Sequence, residues 1–334
     1  MPLVIPVFIP HQGCPHACLF CNQQAISGES KAGISAGDIT AIIDEWLVRA
    51  VDGQVVQVAF YGGSFTCLPP ARQRYYLQTV QPYLRAGRVD EIRLSTRPDC
   101  IDPEVLDTLQ GFGVRVVELG VQSLSDRVLR QSGRGHRVEQ SEEAVRLLKQ
   151  AGFTVGLQLM AGLPGETTGS FFRGVRRVVE LQPDFARLYP VLVVQGSGLA
   201  KLYGQKKYQP LSLARAVALS ASCCDILQAA GIEVVRCGLQ PSRELEDNLI
   251  AGPYHPAFGS LVRSRVWYRE LRKQCSRLQK AQSLTVQVSH RQVTDVVGHK
   301  KENLKRLHQK GYRGRLTISG KRELPRGSVR YVVN

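Results

Sequence analysis

Cys14, Cys18 and Cys21 fall within eight residues, spaced Cys-x3-Cys-x2-Cys in the run Gly13-Cys14-Pro15-His16-Ala17-Cys18-Leu19-Phe20-Cys21-Asn22. Three thiolates on one short loop suit three irons of a [4Fe–4S] cube, because soft thiolate is the ligand such clusters take. The fourth iron is then left without a nearby protein ligand and open to a small molecule. A structural zinc site wants four Cys or His ligands, usually with a second knuckle, and none follows at that spacing. A zinc half-site and metal-free loop thiols stay open beside the cluster reading. The other six cysteines, Cys67, Cys100, Cys223, Cys224, Cys237 and Cys275, form no second Cys-x2-Cys and read as buried, inert thiols. His11, His16, His136 and His255 lie in or beside motifs, but a lone histidine is more often structural than catalytic, and no role is assigned to them.

Further chemistry-bearing residues recur at regular intervals. Tyr61-Gly62-Gly63-Ser64-Phe65-Thr66 carries two glycines that let backbone approach a ligand closely. Ser95 and Arg97 follow in Leu94-Ser95-Thr96-Arg97-Pro98-Asp99. Glu118 and Gln122 belong to Val117-Glu118-Leu119-Gly120-Val121-Gln122, with Gly133-Arg134-Gly135-His136 beyond them. Gln158 opens a stretch that runs to Gly165-Glu166. An arginine fork suits a carboxylate, and amides suit hydroxyls. A satisfied polar residue near a barrel rim remains the plainer reading of Glu118 or Gln122.

These motifs need elements that bring them together. Apolar, β-branched runs at 3–9, 55–61, 91–95, 114–119, 154–160, 185–193 and 232–237 alternate with helical patterns at 36–51, 69–86, 103–110, 139–151 and 170–181. Strands separated by one helix each imply parallel βαβ units. Six or more units imply α/β architecture with a partial (β/α) TIM-like barrel, whose chemistry sits on the loops after its strands. No Gly-x-Gly-x-x-Gly follows the first strand, which argues against a doubly wound dinucleotide fold. The expected organisation is a barrel over 1–262, a basic linker helix over 263–282 and a small basic α+β module over 283–334.

In their order, the cysteine loop, the Gly62-Gly63 turn and the Arg97, Gln122, Arg134 and Gln158 motifs resemble the radical S-adenosylmethionine (SAM) core of the Elongator catalytic subunit family, which modifies wobble uridine in tRNA. The resemblance covers about residues 4–271; oxygen-independent coproporphyrinogen dehydrogenases are a more distant likeness. It implies a [4Fe–4S] cluster on Cys14, Cys18 and Cys21, with SAM chelating the open iron and Phe20 lying along the adenine. Gly62 and Gly63 would meet the methionyl amine, and Ser95 and Arg97 would face the sulfonium and carboxylate side. Arg134 would pair with the carboxylate, while Gln122 and Gln158 would contact the ribose. A reducing donor such as flavodoxin or ferredoxin is implied as well. Two departures stand out. Ser64 occupies a position where many members carry Glu, and the chain stops before the family's acetyltransferase-like domain, which puts acetyl-CoA-dependent carboxymethylation in doubt. Arg130-Gln131-Ser132-Gly133-Arg134-Gly135 matches an acetyl-CoA loop only by chance, since it lies inside the barrel pattern. The segment from about 283 resembles a minimal KH fold, with Lys301 where the second glycine of the Gly-x-x-Gly loop belongs; another basic RNA-binding fold is the alternative.

Charge supports a polyanionic partner. The chain has 334 residues and a net charge of +16; from Arg263 onward 19 Lys and Arg face 4 Asp and Glu, against 25 and 24 before it. Nearly all the excess therefore sits in one terminal segment, which favours RNA, and tRNA in particular, with phosphates on Lys300, Lys301, Lys305 and Arg306. No apolar run approaches a membrane span, the start lacks the features of a signal peptide, and unpaired cysteine spacing fits a reducing, cytoplasmic compartment. The expected activity is RNA modification by a SAM-derived radical. The alternatives are a radical SAM enzyme for a porphyrin or other small molecule, and a non-catalytic, cluster-bearing RNA-binding protein.

Overall fold

Val56–Tyr61 is buried along almost its whole length, as a central strand covered on both faces must be. It is β2 of a seven-stranded sheet built from β1 (Leu3–Phe8), β2, β3 (Glu91–Thr96), β4 (Val114–Gln122), β5 (Thr154–Ala161), β6 (Phe185–Pro190) and β8 (Glu233–Cys237). The order is β1-β2-β3-β4-β5-β6-β8, and every pairing in it is parallel. A two-residue strand, β7 (Val193–Val194), pairs antiparallel with β9 (Leu249–Ala251). The computed structural model describes residues 2–9, 12–22, 33–325 and 327–334, and His11 lies outside them. Among the described residues no pairing joins β8 back to β1, so the sheet is an open, partial (β/α) barrel, as expected.

Helices cross between the strands: α1 (Ala36–Leu47), α2 (Pro70–Arg85), α3 (Pro103–Gly111), α4 (Asp126–Gln131), α5 (Val138–Gln150), α6 (Thr168–Leu181) and α7 (Gly198–Gly204). Their starts are encoded locally. Ser35 and Asp38 form a reciprocal capping box at α1, Asp102 caps α3 ahead of Pro103, and Thr167 with Ser170 caps α6.

The chain divides into two compact units, Met1–Ser212 with Ile226–Pro253, and Leu213–Asp225 with Tyr254–Asn334. The helix α8 (Leu213–Ala229) therefore gives its first part to the second unit. That unit continues, after the short α9 (Arg243–Asp247) of the first, with α10 (Phe258–Cys275), β10 (Leu284–Ser289), α11 (Val293–Val297), α12 (Glu302–Leu307), β11 (Leu316–Lys321) and β12 (Val329–Val333). The sheet order is β11-β10-β12, with β10 parallel to β11 and antiparallel to β12. Strand–helix–loop–helix–strand is thus the observed order. The helix expected as a linker differs from expectation: Tyr268, Leu271 and Cys275 of α10 are buried in one core with Val286, Val288, Val296 and Leu307. Apolar residues spaced three and four apart made α10 a packed element of this unit.

Candidate functional site

The cysteine loop leaves the end of β1 and is fixed by its own backbone. Cys21 N–H donates to Cys18 O at 3.0 Å, and Leu19 N–H donates to Ser132 O at 3.0 Å. Cys18 is buried; Cys14 and Cys21 are half-exposed. Cys14 Sγ lies 3.3 Å from Ser64 Oγ, so the serine found in place of the family's Glu is a neighbour of the first thiol. Among the described residues no three His, Cys, Asp or Glu side chains converge on one metal ion; thiolates of a cluster ligate separate irons and need not converge.

The Gly62-Gly63 turn packs against this loop. Ser64 N–H donates to Gln12 O at 2.9 Å, and Gly62 has φ +85°. A Cβ at Gly63 would stand 2.5 Å from Ile9 O and 2.6 Å from Gln12 O. The glycine is therefore required by the chain entering the cysteine loop, whatever ligand the turn also meets.

Arg134 links the other motifs. Its Nη1 donates to Cys18 Sγ at 3.5 Å and its Nη2 to Gly120 O at 2.5 Å, while its Nε is buried without a partner. Gln158 Nε2 donates to Gln122 Oε1 at 3.2 Å. Gln122 is held at φ +66°, where the β4–β5 register slips. A Cβ on Gly120 would meet both Arg134 Nη2 and Gln122 Nε2 at 2.9 Å. Residues 18, 120, 122, 134 and 158 thus share one small polar region at the strand ends.

Arg97 is 1% exposed and largely engaged by the protein itself. Its Nε and Nη2 fork onto Asp99 at 2.9 Å each, and Nη2 also donates to Arg134 O at 2.7 Å. It positions the Arg134 loop, and only its Nη1 is left buried and unpartnered. Burial opposes the Asp99 charge, but the Arg97 fork outweighs it and keeps that carboxyl below its ordinary range. Burial, then the Arg134 charge, lowers His136 to about 3, so its imidazole is neutral. Ser95 Oγ reaches Phe60 O at 3.5 Å. Phe20 packs with Val128, Leu163, Val191 and Leu199, an apolar wall beside the cysteine loop.

Sequence reasoning missed a buried charged network across the sheet. Glu118 accepts from Tyr61 Oη at 2.8 Å, Arg93 Nη2 at 2.6 Å and Arg187 Nη2 at 3.1 Å, and Arg93 Nη1 donates to Gln57 at 2.7 Å. Partners from β2, β3, β4 and β6 meet there, which only the barrel register brings about. Burial and the Glu118 charge push the Tyr61 hydroxyl well above its ordinary range. Cys67 and Cys100 correct the reading of inert thiols, because they form a disulfide. Both lie on loops after adjacent parallel strands, β2 and β3, so residues 33 apart in sequence become neighbours.

In the second unit, Lys300 and Lys301 occupy the α11–α12 loop with φ +51° and +61°. Gly298 precedes them, and a Cβ there would meet Ser264 Oγ at 2.9 Å. Asn303, unremarked in the sequence, ties the loop down: its Nδ2 donates to Ser264 O, Ser264 Oγ and Val296 O at 2.9–3.1 Å. Two lysines in left-handed backbone carry strain that a solvated loop has no need of. Lys305 and Arg306 follow on α12; both are exposed, and Arg306 pairs with Glu302 at 2.8 Å.

Compared with known proteins, residues 8–173 match the family model described as Radical SAM superfamily, and residues 183–268 match one described as Radical_SAM C-terminal domain. The tRNA uridine(34) acetyltransferase of Methanocaldococcus infernus is 33% identical over 120 residues, 35% of this chain and 22% of that protein. Elongator complex protein 3 of Danio rerio is 29% identical over 262 residues, 64% of this chain and 46% of that protein. The chain spans less than half the length of either relative. The solved structure of the archaeal Methanocaldococcus infernus Elp3 superposes with a TM-score of 0.61 at 19% identity, covering 82% of this chain and 63% of that one, a likeness of fold.

Proposed function

The chain belongs to the radical SAM superfamily, and from that premise we propose that it is an RNA-modifying enzyme: a [4Fe–4S] cluster on Cys14, Cys18 and Cys21, SAM beside it, and a base of tRNA or another structured RNA as substrate. The observation that carries the cofactor part is Arg134. A guanidinium 7% exposed, touching Cys18 Sγ, with one buried N–H unpaired, is a site in want of an anion. A methionyl carboxylate satisfies it. A [4Fe–4S] cluster held by Cys14, Cys18 and Cys21 would supply the one-electron reductive cleavage of SAM, and with it the radical chemistry that removing a substrate hydrogen requires.

The chain's own residues then bind and orient. Arg97 and Asp99 hold the Arg134 loop; Gly62 and Gly63 offer close backbone to the methionyl amine, with Ser95 on the same side. Gln122 and Gln158 offer amides to the ribose hydroxyls, and the Phe20 wall accepts the adenine. Glu118 answers both Arg93 and Arg187, so the network is hydrogen-bonded within the protein yet keeps a net positive charge.

For RNA, the support is the net charge of the residues after Arg263 and the strained lysine loop; the similarity to proteins whose names specify tRNA uridine is consistent with it. An electron donor of the flavodoxin or ferredoxin class belongs to the same reading, as does a cytoplasmic setting, although the Cys67–Cys100 disulfide removes the argument from unpaired cysteines for it. Among the described residues no helix is long and apolar enough to cross a membrane. The test is anaerobic reconstitution with iron, sulfide, SAM and bulk cellular RNA, followed by nucleoside mass spectrometry. A SAM-dependent change in one nucleoside with 5′-deoxyadenosine release is expected. SAM cleavage that never alters RNA, but proceeds on a porphyrin, would overturn the RNA part.

A further inference from the structure

Arg265, Arg269 and Arg272 of α10 lie three and four apart, as do Arg265, Tyr268 and Arg272, so these side chains share one helix face, with Ser276 just past its end. With Lys273 they line a groove of about 560 Å³. The Arg265 and Arg306 guanidinium carbons each lie 5.7 Å from the centre of the Tyr268 ring, so one buried aromatic gathers two like charges. Arg269 has its carboxylate, Asp225 at 2.7 Å, and Arg306 has Glu302. Arg265 and Arg272 have none among the described residues, and Arg265 Nε is buried without a hydrogen bond. Burial, then Arg269 and Arg306, lower Arg265 below the ordinary guanidinium range. Arg265, left without a carboxylate beside a second guanidinium over the same buried ring, costs stability, and an arriving anion recovers the loss.

We propose that this face of α10 is a second docking groove for the RNA phosphate backbone, separate from the Lys300–Lys301 loop. It rests on the reading that this unit binds RNA, and adds a contact surface to it. Arginine rather than lysine predominates, and a planar fork matches two phosphate oxygens. The arginines recur about every 5.4 Å turn of the helix, a repeat that suits a run of phosphates better than a lone small anion. An acidic protein segment is the competing occupant.

The test uses the full chain and a tRNA transcript, with affinity followed by anisotropy between about 50 and 200 mM salt. The paired variant Arg265→Gln with Arg272→Gln should bind the transcript at least tenfold more weakly. Its salt slope should fall by roughly 1.4–1.8, the loss of two phosphate contacts. Its melting temperature without RNA should hold or rise, since repulsion is relieved. The control Lys280→Gln with Arg330→Gln removes equal charge elsewhere and should lose less than threefold. Unchanged affinity and slope in the α10 variant overturn the groove; a loss in Lys300→Ala with Lys301→Ala in the same assay then leaves the RNA reading standing. A wild-type chain that does not bind the transcript overturns both. Binding of poly-glutamate that depends on Arg265 and Arg272, without any effect on RNA, assigns the face to an acidic protein and overturns the proposal.

Discussion

A guanidinium spanning a thiol and a carbonyl, as Arg134 does between Cys18 and Gly120, depends on single atoms of its neighbours. Gly120→Ala would put a methyl 2.9 Å from both Arg134 Nη2 and Gln122 Nε2. We expect SAM affinity to fall at least tenfold by equilibrium dialysis, with iron content unchanged; unchanged SAM affinity would separate these residues from the cofactor. Cysteine to alanine at 14, 18 and 21 together should abolish the roughly four irons per chain of a reconstituted cluster, read by iron analysis and the visible spectrum. The thiols and glycines were readable from sequence because they are contiguous and their types are few. Arg97 was legible as a site residue, but its bond to the backbone carbonyl of residue 134 was not, because no motif records it.

Strands and helices were expected close to where they lie, since each carries its own periodicity and caps. What the patterns could not say is which side chains meet across strands. Glu118 bonds residues 25, 57 and 69 positions away, a consequence of parallel register rather than of any local pattern. Glu118→Ala would leave two buried guanidiniums without their carboxylate and should cost about 3–5 kcal/mol in denaturant unfolding; a loss under 1 kcal/mol would show the network to be solvated. On the loop after β5, burial outweighs the hydrogen bonds from Gly162 and Leu163 and lifts Glu166 from 4.5 to about 7. A carboxyl raised in the folded state takes up protons on folding, so its contribution is full below about pH 4.5 and is lost as pH rises through 7. Relative to Glu166→Gln, the wild-type melting temperature should therefore fall between pH 4.5 and 7 and run parallel above it; a parallel course throughout would refute the shift.

At the scale of the molecule, charge was legible from composition, but the boundary between units was not. α10 read as a linker because its basic residues hide the apolar face that joins Leu284, Val286 and Val288 in the core. Removing residues 283–334 would strip that face of its partners, so point substitutions are the sounder probe. Lys300→Ala with Lys301→Ala should weaken tRNA binding and lower the salt slope by roughly 0.7–0.9 per lost contact, with the melting temperature little changed because alanine keeps the Cβ that left-handed backbone resists; a salt-independent affinity would refute phosphate docking there. The sheet also has a history written in its order. Strands β1 to β6 pair with their successors in the sequence, so on the ribosome each βα unit finds a docked neighbour as it emerges. Cys18, however, is born 116 residues ahead of the arginine that covers it. At a synthesis rate of about 5–20 residues per second, its thiol waits roughly 6–23 s uncovered, an interval in which metal delivery and stray oxidation compete for the same sulfur.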